Sequence, residues 1–70
     1  MIVYEMTGNG GSMTFIADKD IITHHVSFKG DNTNWLRMFK VGDSVKSFSK
    51  TKIAQGTRKT ISGLYPECFL

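Results

Sequence analysis

Turn-forming residues interrupt this chain at short intervals, and that spacing limits what it can fold into. The clearest signal is Gly8 to Gly11, because Asn-Gly sequences adopt the positive φ angles of tight hairpins. Further polar or glycine-containing breaks follow at 18–20, 29–32, 42–43 and 55–56. The stretches between them are short and carry β-branched and aromatic residues, which favour strands. Short strands separated by such turns predict a sandwich or barrel.

The first half of the chain has the more regular pattern. Alternating apolar residues predict an antiparallel hairpin made of residues 1–7 and 12–17, with Met13, Phe15 and Ala17 on one face. After the 18–20 turn, residues 21–28 predict a third strand. In this strand one face is expected to carry Ile22, His24, Val26 and Phe28.

The second half has weaker patterns. Residues 41–49 predict a strand with imperfect alternation, and a second hairpin is expected from residues 51–54 and 57–62 around Gln55-Gly56. A helix over 44–55 is the competing prediction, which the serine and threonine content disfavours. A single helical turn near 34–39, capped by Asn34, is also expected. The predicted fold is therefore all-β. It is one domain over residues 1–70, an antiparallel barrel that is SH3-like or, alternatively, OB-like.

A chain of 70 residues has a small core, and such scaffolds usually need a disulfide, a metal or a partner subunit. Cys68 is the single cysteine, so an internal disulfide is excluded, and no Cys/His set has zinc-ligand spacing. We therefore expect no metal or cofactor and keep a homodimer open. One thiol, no signal peptide and no long apolar run predict a cytoplasmic protein without a membrane segment.

Charge is distributed unevenly along the chain. Residues 1–34 hold two basic and four acidic residues, whereas residues 35–70 hold seven basic and two acidic residues. Between Ser44 and Pro66 there is no acidic residue, and five basic side chains are expected to project from one side of the strands: Lys46, Lys50, Lys52, Arg58 and Lys59. This pattern predicts binding to nucleic acid, DNA or RNA, or to an acidic protein surface. Phe48 or Trp35 would add base stacking. The alternative is that the lysines only keep the domain soluble.

An aromatic and methionine set offers a second hypothesis. The densest apolar cluster lies at 35–39, and exposed clusters of this kind are enriched at interfaces. A protein-binding adaptor or small inhibitor would use Trp35, Met38, Phe39, Tyr65, Pro66 and Phe69.

Three features suggest chemistry at first sight, and each has a simpler interpretation. His24 and His25 are neighbours on a predicted strand, so their rings would point to opposite faces and could not share one ion. Asp18 and Asp20 flank Lys19 in a turn, where a stabilising role is expected. A nucleophilic Cys68 would need a lowered thiol pKa and a nearby base, and a small buried or an inert exposed thiol is expected instead. The sequence predicts a non-catalytic protein.

The C-terminal part resembles an SH3 domain. Gly30-Asp31-Asn32-Thr33 followed by Phe39-Lys40-Val41-Gly42-Asp43 is similar to the arm that enters the family's first barrel strand. The end of the chain, from Gly63-Leu64-Tyr65-Pro66 to Leu70, resembles the family's closing Gly-Leu-Phe-Pro-Ser-Asn-Tyr-Val stretch. The resemblance implies an SH3-like topology. It also places Pro66 and Phe69 where the family lines its groove for proline-rich peptides.

Overall fold

The centre of the protein is an open antiparallel sheet. A computed structural model describes residues 1–30 and 38–70. In these ranges the strands are β1 (Ile2–Gly8), β2 (Gly11–Asp18), β3 (Ile21–Gly30) and β4 (Thr51–Gln55), in the order β3-β2-β1-β4. A helix, α1 (Arg58–Leu64), and a 3-10 helix (Pro66–Phe69) follow. The antiparallel β class is confirmed, but β3 and β4 lie at opposite edges of the sheet, which is not closed.

The hairpin predicted for residues 1–17 is confirmed, and so are the turn at 18–20 and the third strand that follows it. β1 and β2 pair from Ile2↔Ala17 to Gly8↔Gly11, so Asn9-Gly10 makes the connection. β2 and β3 are joined at Lys19 and Asp20, which both adopt positive φ, at 50° and 65°. A short polar turn of left-handed residues matches the twist of the strands that it connects.

The predicted faces of β3 are wrong, because two irregularities interrupt its pairing with β2. Register shifts occur between Thr14 and Phe15 and between Ile16 and Ala17. Each shift leaves one β3 residue without an opposite partner, and the alternation of faces reverses there. Ile22 and Phe28 consequently pack on one face of the sheet, whereas Val26 packs on the other. His24 also lies on that second face, opposite Ile16.

Both faces of the sheet are covered. We call the first the loop face, because residues 39–50 cover it; its buried core consists of Met6, Met13, Phe15, Ala17, Ile22, Phe39 and Val45. We call the second the helix face, because α1 and the 3-10 helix cover it; its buried core consists of Val3, Ile16 and Ile61. Because successive strand residues point to opposite sides, this thin sheet contributes to two cores at once.

Residues 41–49 do not form the predicted strand. Only a bridge between Ile21 and Ser44 is strand-like, supported by bonds from the Ile22 N–H to Asp43 O (3.0 Å) and from the Gly42 N–H to Ile22 O (2.8 Å). These contacts lie on the outer edge of β3. The chain then reaches β4 at the opposite edge, so it crosses the whole loop face. A straight strand cannot bridge the sheet in this way and also bury Val45, and the alternative helix over 44–55 is not formed either.

The second predicted hairpin is replaced by a strand and a helix. β4 confirms the strand at 51–54, but residues 58–64 are helical rather than extended. Thr57 is the N-cap, and its hydroxyl accepts a hydrogen bond from the Thr60 N–H at 3.4 Å. Burial of Ile61 against Val3 and Ile16 holds the helix on the sheet. The cap and one buried side chain therefore outweigh the local preference for a strand.

We expect Thr57→Ala to reduce the free energy of unfolding by about 0.5–2 kcal/mol, because the first turn of α1 then loses its side-chain acceptor. Urea denaturation followed by circular dichroism measures this loss. Thr57→Ser is the matched control, because it keeps the hydroxyl, and it should stay within about 0.5 kcal/mol of the parent. Equal losses in both variants would show that the cap contributes nothing.

Candidate nucleic-acid interface

The five predicted basic residues lie on two different sides of the sheet. Lys52 is paired with Tyr4, whose ring packs on the loop-face core, so Lys52 lies on the loop face. Lys46 and Lys50 belong to the segment that covers that face. Arg58 and Lys59 are in α1, on the helix face. The single basic side expected from the sequence depended on two strands that are not formed, and the loop face keeps three of its five members.

Lys50 is tied to the loop that carries it. Its ammonium donates hydrogen bonds to Val45 O at 2.8 Å and to Phe48 O at 3.3 Å. The same Nζ lies 5.1 Å from the centroid of the Tyr4 ring, a cation–π distance. The side chain is half-buried. Lys50 therefore fastens residues 45–48 to the sheet, and two of its three N–H donors are already used.

Phe48 is the exposed aromatic residue of this loop. The residue is 44% exposed, although its ring touches Phe39 edge-on, with centroids 5.0 Å apart and planes at 86°. Phe39 itself is buried in the loop-face core. The Phe48 N–H also donates to Val45 O at 3.1 Å, which closes a turn. Phe48 is thus held by its contact with Phe39 and by this turn, while 44% of the residue stays exposed.

Two further lysines flank this ring in the chain and are free to meet an anion. Lys46 is exposed, and its backbone N–H is bonded to Ser44 Oγ at 3.4 Å. Lys52 is exposed, and its ammonium donates to Gln55 Oε1 at 3.1 Å, a neutral partner. Asp43 is the single acidic residue between positions 39 and 52, and its Oδ2 accepts from the Lys40 N–H at 3.0 Å. The loop face is therefore positively charged.

The basic residues of the helix face have a different setting. The Arg58 guanidinium lies 5.3 Å from the centroid of the Phe69 ring, and the centroids of the Phe69 and His24 rings are 4.3 Å apart with the planes tilted by 35°. These contacts hold the 3-10 helix against β3. Lys59 is exposed, and both basic residues lie on the face of the sheet opposite the loop that carries Phe48.

The residues of the protein-binding hypothesis are not assembled into one surface. Met38 is 62% exposed, but Phe39 is 6% exposed and belongs to the loop-face core. Tyr65 and Phe69 are half-buried against the helix-face core, and the exposed Pro66 begins the 3-10 helix. Trp35 and most of the helical turn expected near 34–39 lie outside the described residues.

The prediction that the two histidines point to opposite faces is confirmed. The His25 Nε2–H donates to Phe39 O at 2.6 Å on the loop face. His24 lies on the helix face, where its Nδ1 is 2.9 Å from Thr23 Oγ1. Since the Thr23 hydroxyl donates to Ile16 O at 3.2 Å, it accepts the His24 N–H. Both rings therefore have structural partners.

Cys68 is also held in a structural contact. Its Sγ lies 3.7 Å from His25 O, to which the thiol donates. Burial raises the pKa of the Cys68 thiol, and the Glu67 carboxylate raises it further. A thiol with a raised pKa is a weak nucleophile at neutral pH.

Within residues 1–30 and 38–70, no three His, Cys, Asp or Glu side chains come together as a metal site, and no enclosed pocket opens on the surface. None of the helices in these ranges has the length and apolar character needed to cross a membrane. Comparisons with protein-family models, with curated proteins and with solved structures gave no match. The resemblance to SH3 domains therefore stays a sequence-based prediction.

Sequence reasoning missed the part that Tyr4 plays. Its side chain lies under the Lys50 ammonium, but the two residues are far apart in the chain. No local pattern links them, because the contact depends on the path of residues 39–50 across the sheet. The basic and aromatic composition of residues 46–52 is visible in the sequence, but the hydrogen bonds of Lys50 and its contact with Tyr4 are not.

Proposed function

We propose that this protein is a non-catalytic module that binds nucleic acid through the loop face. The observation that carries the proposal is the pair of exposed lysines on the loop face, Lys46 and Lys52, with the exposed aromatic residue Phe48 between them in the chain. An open, positively charged surface with a fixed aromatic ring is the usual means by which proteins bind a nucleic-acid strand. The single cysteine fits a reducing compartment such as the cytoplasm.

The electrostatic part of the binding falls to Lys46 and Lys52. Their ammonium groups are exposed and have no carboxylate partner among the described residues, so phosphates can approach them directly. Neutralising phosphates releases counterions, which makes the affinity fall as salt rises. Arg58 and Lys59 lie on the opposite side of the sheet and are not part of this surface.

We expect Lys46→Glu combined with Lys52→Glu to weaken nucleic-acid binding at low salt by at least roughly tenfold, because two phosphate contacts become repulsive. Fluorescence anisotropy of labelled oligonucleotides at two salt concentrations measures both the affinity and its salt dependence. The double variant should also show a flatter salt dependence.

The matched control is Lys29→Glu combined with Lys59→Glu, which changes the net charge by the same amount. Both residues are exposed, and both lie on the helix face. Lys59 belongs to α1. Lys29 pairs with Ser12, which points away from the loop face because its neighbour Met13 lies in the loop-face core. This control should keep most of the affinity. If it loses as much as the loop-face variant, binding depends on net charge alone and the proposed surface is wrong.

An acidic protein surface is the alternative partner, as an adaptor or a small inhibitor would have. Met38 and Val41 are exposed near the same face and would offer apolar contacts to such a partner. Absence of oligonucleotide binding at low salt would overturn the nucleic-acid proposal and favour this alternative.

A further inference from the structure

We infer that the nucleic acid is single-stranded, that an unpaired base stacks on Phe48, and that Lys50 positions this ring rather than contacting phosphate. The inference rests on the proposed function, whose site it makes specific. Three observations support it: the exposure of Phe48, the hydrogen bonds of the Lys50 ammonium, and the exposed side chains of Lys46 and Lys52.

The Phe48 ring is accessible to an incoming base. Base stacking needs an aromatic face that solvent can reach and that does not move when the base arrives. Phe48 meets Phe39 in an edge-to-face contact at 86°, so the two rings are not stacked on each other. Its 44% exposure leaves surface for a base. In a duplex the base faces are covered by their neighbours, whereas in a single strand they are accessible.

Lys50 is among the residues that the sequence predicts to bind phosphate, but its ammonium is already bonded. Its ammonium donates to Val45 O and Phe48 O, the two ends of the turn that presents the ring. It also lies over Tyr4 of β1, which belongs to the sheet itself. Lys50 therefore connects the turn to the sheet, and a phosphate would have to compete with two carbonyl groups for it.

The three lysines of the loop face differ in how accessible they are to an anion. Lys46 and Lys52 are exposed, whereas Lys50 is half-buried. The logarithm of the binding constant falls linearly with the logarithm of the salt concentration, and we call the magnitude of this gradient the salt slope. Removing one phosphate contact lowers the salt slope by about 0.7 for a single strand. Removing a residue that only holds the ring lowers the affinity and leaves this slope unchanged. The salt slope thus distinguishes a contact from a positioning role.

The test uses fluorescence anisotropy with labelled oligothymidylate and oligouridylate of about 12 nucleotides, the upper part of the site sizes usual for small modules, and a mixed-sequence duplex of the same length. We expect the single strands to bind at least roughly tenfold more tightly than the duplex. The two single strands also separate DNA from RNA as the preferred ligand.

Variants of Phe48 test the stacked base. Phe48→Ala should weaken single-strand binding by roughly 5- to 150-fold, the range for one stacked base, with an unchanged salt slope. Phe48→Trp should retain the affinity. Phe48→Leu keeps apolar packing against Phe39 and removes the aromatic face, so it should lose affinity while the circular dichroism spectrum stays that of the parent.

Variants of the lysines test the positioning role. Lys50→Met should lower the affinity with no change in salt slope, whereas Lys46→Met should lower the slope by about 0.7. If Lys50→Met lowers the slope as much as Lys46→Met does, Lys50 contacts phosphate and the positioning role is wrong.

The failures of the inference and of the proposed function are distinguishable. If the duplex binds as tightly as the single strands and Phe48→Leu has no effect, the single-strand inference is overturned while the proposed function stands. If none of the three oligonucleotides binds at low salt, the proposed function itself fails.

Discussion

Replacing Gly11 by alanine is expected to lower the free energy of unfolding by about 3 kcal/mol or more, a large part of the roughly 3–10 kcal/mol typical of a domain this size. Gly11 has φ +146° and pairs with Gly30, which has φ +126°. A Cβ at Gly11 would overlap the Lys29 carbonyl oxygen and lie 2.9 Å from Gly30 Cα. Relief of that overlap requires β2 and β3 to move apart, in addition to the cost of the positive φ. Urea denaturation followed by circular dichroism measures the loss.

The matched control is Gly63→Ala, which makes the same substitution at a position with room for the added Cβ. Gly63 lies in α1, where an added Cβ would meet nothing within 4 Å. Alanine favours the helix and restricts the unfolded chain, so this variant should gain about 0.5 kcal/mol. If Gly11→Ala unfolds at the same urea concentration as the parent, the close approach of Gly11 and Gly30 is not a feature of the protein in solution.

The turns of the first half show which features can be predicted from local sequence. Gly8-Asn9-Gly10-Gly11 and Asp18-Lys19-Asp20 are recognisable because a tight turn requires particular φ angles, which few residue types adopt readily. The strands that they connect follow from alternation. The two hairpins from β1 to β3 could therefore be predicted, together with the antiparallel class of the fold.

Features that depend on distant contacts could not be predicted in this way. The register shifts in β3 move His24 and Val26 to the face opposite Ile22 and Phe28, and nothing in the alternation of residues 21–28 marks them. Residues 58–64 are helical because Ile61 fills the core next to Val3, at the other end of the chain. Residues 41–49 do not form a strand, because they bond to β3 at one edge of the sheet and must then reach β4 at the other edge.

The candidate site also has features that could be predicted from the sequence and features that depend on the fold. Composition identified the basic segment and its aromatic residue, because charge does not depend on the fold. Which lysines are available to an anion does depend on it: the Lys50 ammonium is held by backbone carbonyls, and Lys59 lies on the far side of the sheet. Basic residues that look equivalent in the sequence therefore differ in exposure and in hydrogen bonding once the chain is folded.

Ile61→Ala is expected to lower the free energy of unfolding by about 2–5 kcal/mol, because it leaves a cavity under α1. Ile61 is fully buried and is the one α1 residue in the buried core of the helix face. Urea denaturation of Ile61→Ala beside Leu64→Ala measures the loss.

Leu64 lies on the same helix and is 57% exposed, so its replacement should stay within about 0.5 kcal/mol of the parent. Because Ile61 takes no part in the loop face, the folded fraction of Ile61→Ala should bind oligonucleotides as the parent does. Similar small losses in both variants would show that α1 is not packed on the sheet. A binding defect in folded Ile61→Ala would show that the two faces do not act independently.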